Sequence, residues 1–251
     1  MLKQKVNFLY LIFENNFYIL NTLGLNGGWC YFTKNKNKLL FSSNNDDYSK
    51  YFSDDNFKSY LNLTLKHLNI EFITENGSLY YFDILSFGTI KCITDSEELN
   101  SKLNKIGPDI MNESTNLELF LKQIKKKINL TKCIGLVLIN QKIISGIGNY
   151  LRADVLYLSK INPFRVVKDL TDKEIEIIFN NSKILTWCVY DIKKAEKLKI
   201  YNENVKLPSD YNRLFFVYNQ DKDIYGNKIK KIELYEGSQK RFIYYVPKIQ
   251  I

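Results

Sequence analysis

Two rhythms divide this 251-residue chain. From Phe8 to about Gly88, apolar runs of strand length alternate with turn-formers: Phe8-Leu9-Tyr10-Leu11-Ile12-Phe13, Phe17 to Leu20, Leu39-Leu40-Phe41, Ile70 to Ile73 and Leu79 to Phe82, with Asn, Asp, Gly and Ser between them. Aromatic and β-branched residues suit a pleated, half-buried surface, so these runs predict strands. Further on the spacing changes. Leu117, Leu119, Phe120, Ile124 and Ile128 recur at helical intervals, Ile134 to Ile139 makes a buried run, and Leu151, Val155, Leu156 and Leu158 are helical again. Thr171 to Lys194 reads as one long amphipathic helix opened by a Thr171-x-x-Glu174 capping box. Between Ile200 and Ser209 the chain turns polar, as a linker or loop does. It then alternates as strands over Leu214 to Tyr218, Ile229 to Tyr235 and Arg241 to Val246, with turns at Asp223 to Asn227 and at Glu236-Gly237-Ser238. The expectation is an α+β protein with a β-rich N-terminal domain over 1–106, a helical domain over 107–199, and a linker with a β-hairpin over 200–251.

The helical stretch is broken by Gln141-Lys-Ile-Ile-Ser-Gly-Ile-Gly-Asn149, which predicts helix, double turn, helix. Gly146 and Gly148 bracket one apolar residue and lead into Asn149, a side chain favoured at helix N-caps. Glycine permits positive φ and close backbone approach. The free N–H groups and dipole of the next helical turn then suit an anion such as a phosphate. The same spacing also serves as a plain turn between packed helices.

Composition narrows the partner only slightly. The 36 Lys and Arg against 27 Asp and Glu leave a formal charge of +9, which permits a polyanionic partner. The basic run Lys122, Lys125, Lys126, Lys127 and Lys132 fits a solvated face equally well. Cys30, Cys92, Cys133 and Cys188 lie too far apart for metal-ligand spacing and read as buried, reduced thiols; neither a structural metal nor a cofactor is expected. With His67 as the sole histidine, in an apolar-rich context that suggests a structural or solvent-facing role, neither a histidine-based triad nor a multi-histidine metal site is expected. No apolar run reaches membrane-spanning length and the N-terminus lacks a signal-peptide pattern, so a soluble, intracellular protein that binds no membrane is expected.

Several motifs, taken together, resemble the formamidopyrimidine-DNA glycosylase and endonuclease VIII family. Gly146-Ile147-Gly148-Asn149 is similar to the Gly-hydrophobic-Gly-Asn turn of the family's helix-two-turn-helix, Asn140-Gln141 to its Asp-Gln, and Ile161-Asn162-Pro163-Phe164-Arg165 to its Ile-His-Pro-x-Arg. Asp154 stands where the family usually has glutamate. Leu23-Gly24-Leu25-Asn26-Gly27 resembles Leu-Gly-Met-Ser/Thr-Gly, Asp83 to Gly88 resembles Asp-Pro-Arg-Arg-Phe-Gly, and Ile106-Gly107-Pro108-Asp109 resembles Leu-Gly-Pro-Glu. Arg241-Phe-Ile-Tyr-Tyr-Val-Pro-Lys-Ile-Gln250 is similar to the family's closing Arg-x-x-x-Tyr/Phe-Cys-Pro-x-Cys-Gln, with Val246 and Ile249 at the cysteine positions and Tyr225 and Lys228 near the earlier pair.

The resemblance implies an incomplete β-sandwich, a helix-two-turn-helix domain and a zincless finger hairpin. It implies DNA-binding roles for Asn149 and Arg241 on phosphates at the lesion, and for Leu25, Leu85 and Phe87 in the gap left by a flipped-out base. The alternative for those three apolar residues is ordinary packing, and for Arg241 an exposed hairpin end. Leu85 and Ser86 replace the two family arginines. Family enzymes attack the sugar through an amine at the start of the chain, commonly proline followed by glutamate. This chain opens Met1-Leu2-Lys3-Gln4-Lys5 and is expected to lack that opening catalytic segment. Arg241 and Lys5 are the catalytic residues the resemblance carries over, Lys5 lying near a family lysine. The implied function is a base-excision-repair DNA glycosylase with abasic-site lyase activity on oxidised bases, acting as a monomer on damaged double-stranded DNA; the alternative is a damaged-DNA-binding relic without chemistry.

Overall fold

The computed structural model describes residues 2–5, 8–23, 27–33, 39–41, 67–83, 85–190, 215–236 and 239–251. The chain divides into two compact units, Met1–Leu103 and Asn104–Ile251. Among the described residues no helix is long and apolar enough to cross a membrane.

Among the described residues the first unit holds eight strands: β1 (Leu2–Lys5), β2 (Phe8–Ile12), β3 (Tyr18–Thr22), β4 (Gly27–Thr33), β5 (Leu39–Phe41), β6 (Leu68–Thr74), β7 (Gly77–Asp83) and β8 (Thr89–Ile93). They form two antiparallel four-stranded sheets, ordered β1-β2-β3-β8 and β5-β4-β7-β6. Leu9 and Leu11 from the first sheet pack with Trp29, Phe72 and Tyr81 from the second, and Trp29 donates its indole N–H to Asn21 across the layers at 3.0 Å. The other face of the first sheet, carrying Tyr10, Ile12, Tyr18 and Leu20, is covered by Leu99 and Leu103 of helix α1 (Ser96–Asn104). Cover on both faces explains why β2 reads as an unbroken apolar run. Cys92, expected to be buried, is exposed, because β8 is an edge strand whose outer residues meet solvent.

Among the described residues the second unit holds four α-helices, α2 (Leu117–Ile124), α3 (Ile134–Ile139), α4 (Asn149–Leu158) and α5 (Asp172–Tyr190), followed by the hairpin β9 (Lys230–Glu236) and β10 (Gln239–Tyr245). One core joins them: Phe120 and Ile124 of α2, Ile134 and Leu138 of α3, Val155 and Leu156 of α4, Ile175 and Leu185 of α5, and Val217 and Val246 from the tail. The predicted capping box of α5 is formed, the Thr171 hydroxyl accepting from Glu174 N at 3.2 Å and the Glu174 carboxylate from Thr171 N at 2.8 Å.

Two further expectations are corrected. The strand expected over Leu214 to Tyr218 is irregular at Phe215 and bend and turn over 216–219, with Leu214 outside the described residues. Asp154 takes the N–H groups of Phe216, Val217 and Tyr218, so they are unavailable to a β-ladder. Asn149 is not the N-cap but the first residue of α4; the cap position belongs to Gly148, in extended conformation with no side-chain hydrogen bond to the helix. Residues 191–214, which contain the polar stretch and the expected end of α5, lie outside the described residues, as does Leu25.

Candidate nucleic-acid interface

The double turn is shaped by one side chain. Gln141 accepts from Gly146 N at 3.0 Å and donates to the carbonyls of Ile139 (3.0 Å) and Ile147 (2.8 Å), fixing the reversal between α3 and α4. Gly146 has φ +97°, and a Cβ there would stand 2.9 Å from Ile110, so glycine is demanded twice. The segment from Gly107 to Ile110 buttresses the turn from behind. Gly107 N donates to Gln141 O at 2.8 Å, Ser145 N to Pro108 O at 2.9 Å, and Ile110 N to Ser145 O at 3.0 Å. Gly148 differs: a Cβ added there meets nothing within 4 Å. The turn therefore ends in open space at the bare N-terminus of α4, where N–H groups and the helix dipole favour an anion.

Helix α4 is buried almost all round and carries two charged side chains inward. Burying a charge is costly unless partners satisfy it, and both have partners on other elements. Asp154 holds the 216–218 turn, as described above. Arg152, only 1% exposed, donates Nη1 to Gly135 O of α3 at 3.1 Å. Its Nη2 donates to Phe242 O of β10 at 2.8 Å and to Asn149 Oδ1. A single nitrogen thus contacts both the turn asparagine and the carbonyl beside Arg241. Asn149 and the strand that carries Arg241, 92 positions apart in the chain, are thus tied together by a residue that sequence reasoning passed over.

The hairpin docks on the motif through its backbone and one face. Arg241 pairs with Leu234 and shares a hairpin face with Ile243. Ile243 is buried so closely against α3 that a Cβ on Gly135 would sit 2.8 Å from its Cδ1, whereas Arg241 is exposed. At the family's cysteine positions, Val246 is fully buried and Ile249 is packed partly buried against the core. Neither side chain can ligate zinc, and Tyr225 is solvent-exposed. The loop 223–227 is organised instead by Asp223, which accepts from Tyr225 N (3.0 Å), Asn227 N (2.7 Å), Asn227 Nδ2 (2.9 Å) and the Tyr157 hydroxyl of α4 (3.1 Å). Burial opposes the charge on Asp223, but the donors from Asn227 and Tyr225 outweigh it and hold its pKa below the ordinary carboxylate value. Burial, followed by the Asp223 charge, pushes the Tyr157 hydroxyl up. Gln250 closes the tail, accepting from Val246 N at 2.7 Å and donating to Ile161 O at 2.9 Å.

The segment Ile161 to Arg165 earns its pattern by supplying acceptors to α3. Ile134 N donates to Arg165 O at 2.9 Å and Gly135 N to Pro163 O at 3.0 Å. The Arg165 guanidinium forks onto Glu174 at 2.5 and 3.2 Å. That hydrogen bond leads the causes that bring the Glu174 pKa down to about 2.

In the first unit, the loop after β7 exposes two apolar side chains, Leu85 at 43% and Phe87 at 66%. Asp83 braces it, accepting from Leu85 N at 3.2 Å, Gly88 N at 2.6 Å and the Tyr81 hydroxyl at 3.2 Å. A Cβ on Gly88 would lie 2.1 Å from the Tyr81 oxygen, so only glycine closes this loop. These side chains are therefore not core packing. The backbone of Lys5 ends β1.

Two helices joined by a glycine-bounded double turn, with a hairpin docked on them, have counterparts among known proteins. The family model described as the formamidopyrimidine-DNA glycosylase H2TH domain matches residues 106–195. The chain is 29% identical to the formamidopyrimidine-DNA glycosylase of Mycoplasma genitalium over 186 residues, covering 73% of this chain and 55% of that protein. To the enzyme of Pediococcus pentosaceus it is 35% identical over 115 residues, covering 45% and 41%. The chain thus spans about half the length of the curated relatives it matches. The solved Lactococcus lactis formamidopyrimidine-DNA glycosylase, non-covalently bound to DNA containing an AP site, shares the fold with TM-score 0.67 and 22% identity over 99% of this chain and 80% of that one. The chain is thus similar to formamidopyrimidine-DNA glycosylases, through its H2TH domain in sequence and along nearly its whole length in fold.

Proposed function

We propose that this chain acts in base excision repair as a DNA glycosylase on oxidised bases, with abasic-site lyase activity, working as an intracellular monomer on damaged duplex DNA. The observation that carries the reading is the shared clamp by which Arg152 Nη2 holds both Asn149 Oδ1 and the carbonyl of Phe242, the residue after Arg241, beside an uncapped helix N-terminus. Such an array suits consecutive backbone phosphates, positioning the duplex without reading its sequence. Exposed Phe87 and Leu85 supply apolar wedges for the space a flipped base vacates. The names of the relatives support the glycosylase assignment.

The chemistry needs an amine. Its lone pair attacks the sugar C1′, the glycosidic bond breaks and the base leaves with a proton from a nearby acid; the sugar ring opens at O4′ as the amine gives up its proton, and the resulting Schiff base expels the 3′ phosphate by β-elimination and, where δ-elimination follows, the 5′ phosphate. Lys5 is the candidate within the sequence, and Arg241 holds the phosphate of the damaged nucleotide. The test is borohydride trapping on a duplex with one abasic site. A covalent adduct that maps to Lys5 or another amine of this chain, and is lost on its substitution, is expected. Specific binding without any adduct refutes the lyase reading and leaves a non-catalytic damage-binding protein.

A further inference from the structure

We propose that Arg152 is a positioning residue that decides which half of the Asn149 amide is offered to DNA and couples that amide to the finger strand carrying Arg241. The proposal rests on the phosphate-binding reading of Asn149 and Arg241 given above. An asparagine amide is an acceptor at one end and a donor at the other, and a phosphate requires the donor. Arg152 carries only donors, so its hydrogen bond to Asn149 can be made only through Oδ1. The Nδ2 donor is thereby the half left for a ligand, and the amide cannot flip without placing NH2 against a guanidinium. The same Nη2 holds Phe242 O at 2.8 Å, while Nη1 is anchored on Gly135 O at 3.1 Å. With the guanidinium fixed on two backbone carbonyls and buried, the amide is oriented before DNA arrives, so little rotamer freedom remains to be lost on binding.

Asn149→Ala and Asn149→Asp separate this role from a merely structural one, because the clamp predicts that stability and affinity move in opposite directions. Aspartate keeps the acceptor facing Arg152 and adds a charge-assisted bond, but turns a carboxylate oxygen toward the phosphate; alanine removes both ends. In the full chain, Asn149→Asp is expected to melt at or above the wild-type temperature and Asn149→Ala below it. Affinity for a duplex with a stable abasic-site analogue is expected to fall about tenfold in Asn149→Ala and about a hundredfold in Asn149→Asp, as loss of a hydrogen bond and its replacement by like-charge repulsion require. Asn149→Asp melting no higher than Asn149→Ala overturns the clamp, whatever the DNA result. The expected melting order with unchanged affinity in both variants overturns the phosphate reading instead, leaving Arg152 only a scaffold. Asn149→Asp binding as well as Asn149→Ala, both below wild type, overturns the assignment of the donor half to the phosphate.

Discussion

The loop after β7 and the turn 141–149 are each held by one polar side chain, and they finish with opposite surfaces. Asp83 gathers two backbone N–H groups and a tyrosine hydroxyl, and the loop it braces exposes Leu85 and Phe87. Gln141 gathers an N–H and two carbonyls, and its turn clears side chains away, ending at Gly148 with open space in front of a helix N-terminus. In the proposed function the first serves as a wedge and the second as a socket. The difference lies in what the chain places beside the brace: apolar side chains at alternate positions in the first, glycines in the second. A rigid loop is what lets exposed apolar residues work as a wedge, since a mobile one would lose ordering entropy on every insertion.

Substitutions at the braces and glycines test this contrast, and the largest effect is expected in the socket. Gly146→Ala forces a Cβ into positive φ and against Ile110, a combined cost of about 2–4 kcal/mol. Gly148→Ala meets no atom and should cost under about 1 kcal/mol; urea melts of the two variants compare them directly. Equal losses would show that Gly148 is also a packing glycine. Next comes Asp83→Ala, which strands three donors, two of them backbone, at an expected cost of about 2–3 kcal/mol. Amide exchange at Leu85 and Gly88 should accelerate together; exchange that stays slow would mean the loop is braced elsewhere. The smallest effect is a pH dependence. Because the folded pKa of Glu174 is lowered to about 2 from 4.5, its contribution is fully present above the unfolded value and is lost as pH falls from about 4.5 toward 2. Partial exposure of the Arg165–Glu174 pair limits the contribution to on the order of 1 kcal/mol. Glu174→Gln should remove that part of the acid slope, and an unchanged slope would place the titrating group elsewhere.

What could be read in the sequence follows a physical division. The socket was legible because glycines, a glutamine and an asparagine at fixed spacing are local demands, and the long helix announced itself by Thr171 and Glu174. Arg152 was not, because its partners are carbonyls of Gly135 and Phe242 and the amide of Asn149; backbone acceptors leave no signature in residue type. Asp154 was visible only as a shorter stand-in for glutamate, while its actual work is to satisfy three N–H groups of the 216–218 turn. That interaction also explains why Phe215-Phe216-Val217-Tyr218, with the composition of a strand, is not one. In the sandwich, β8 presents alternate polar residues at a sheet edge and lacks the apolar run that marks β2, β3, β5, β6 and β7, while β4 holds such a run, Trp29 to Phe32, directly behind the turn-like Gly27-Gly28.

The contrast between wedge and socket is tested most directly by binding an abasic-site duplex and a matched undamaged duplex, side by side at fixed salt, to the wild type, Phe87→Ala and Gly148→Ala. A socket that grips phosphates serves both duplexes, so Gly148→Ala should weaken both about equally. A wedge acts only where a base is out of the stack. Phe87→Ala should therefore lower affinity for the abasic duplex by about tenfold, about 1.4 kcal/mol, leave the undamaged duplex unchanged, and so collapse the ratio. A preserved ratio in Phe87→Ala, or a lost ratio in Gly148→Ala, would contradict the account.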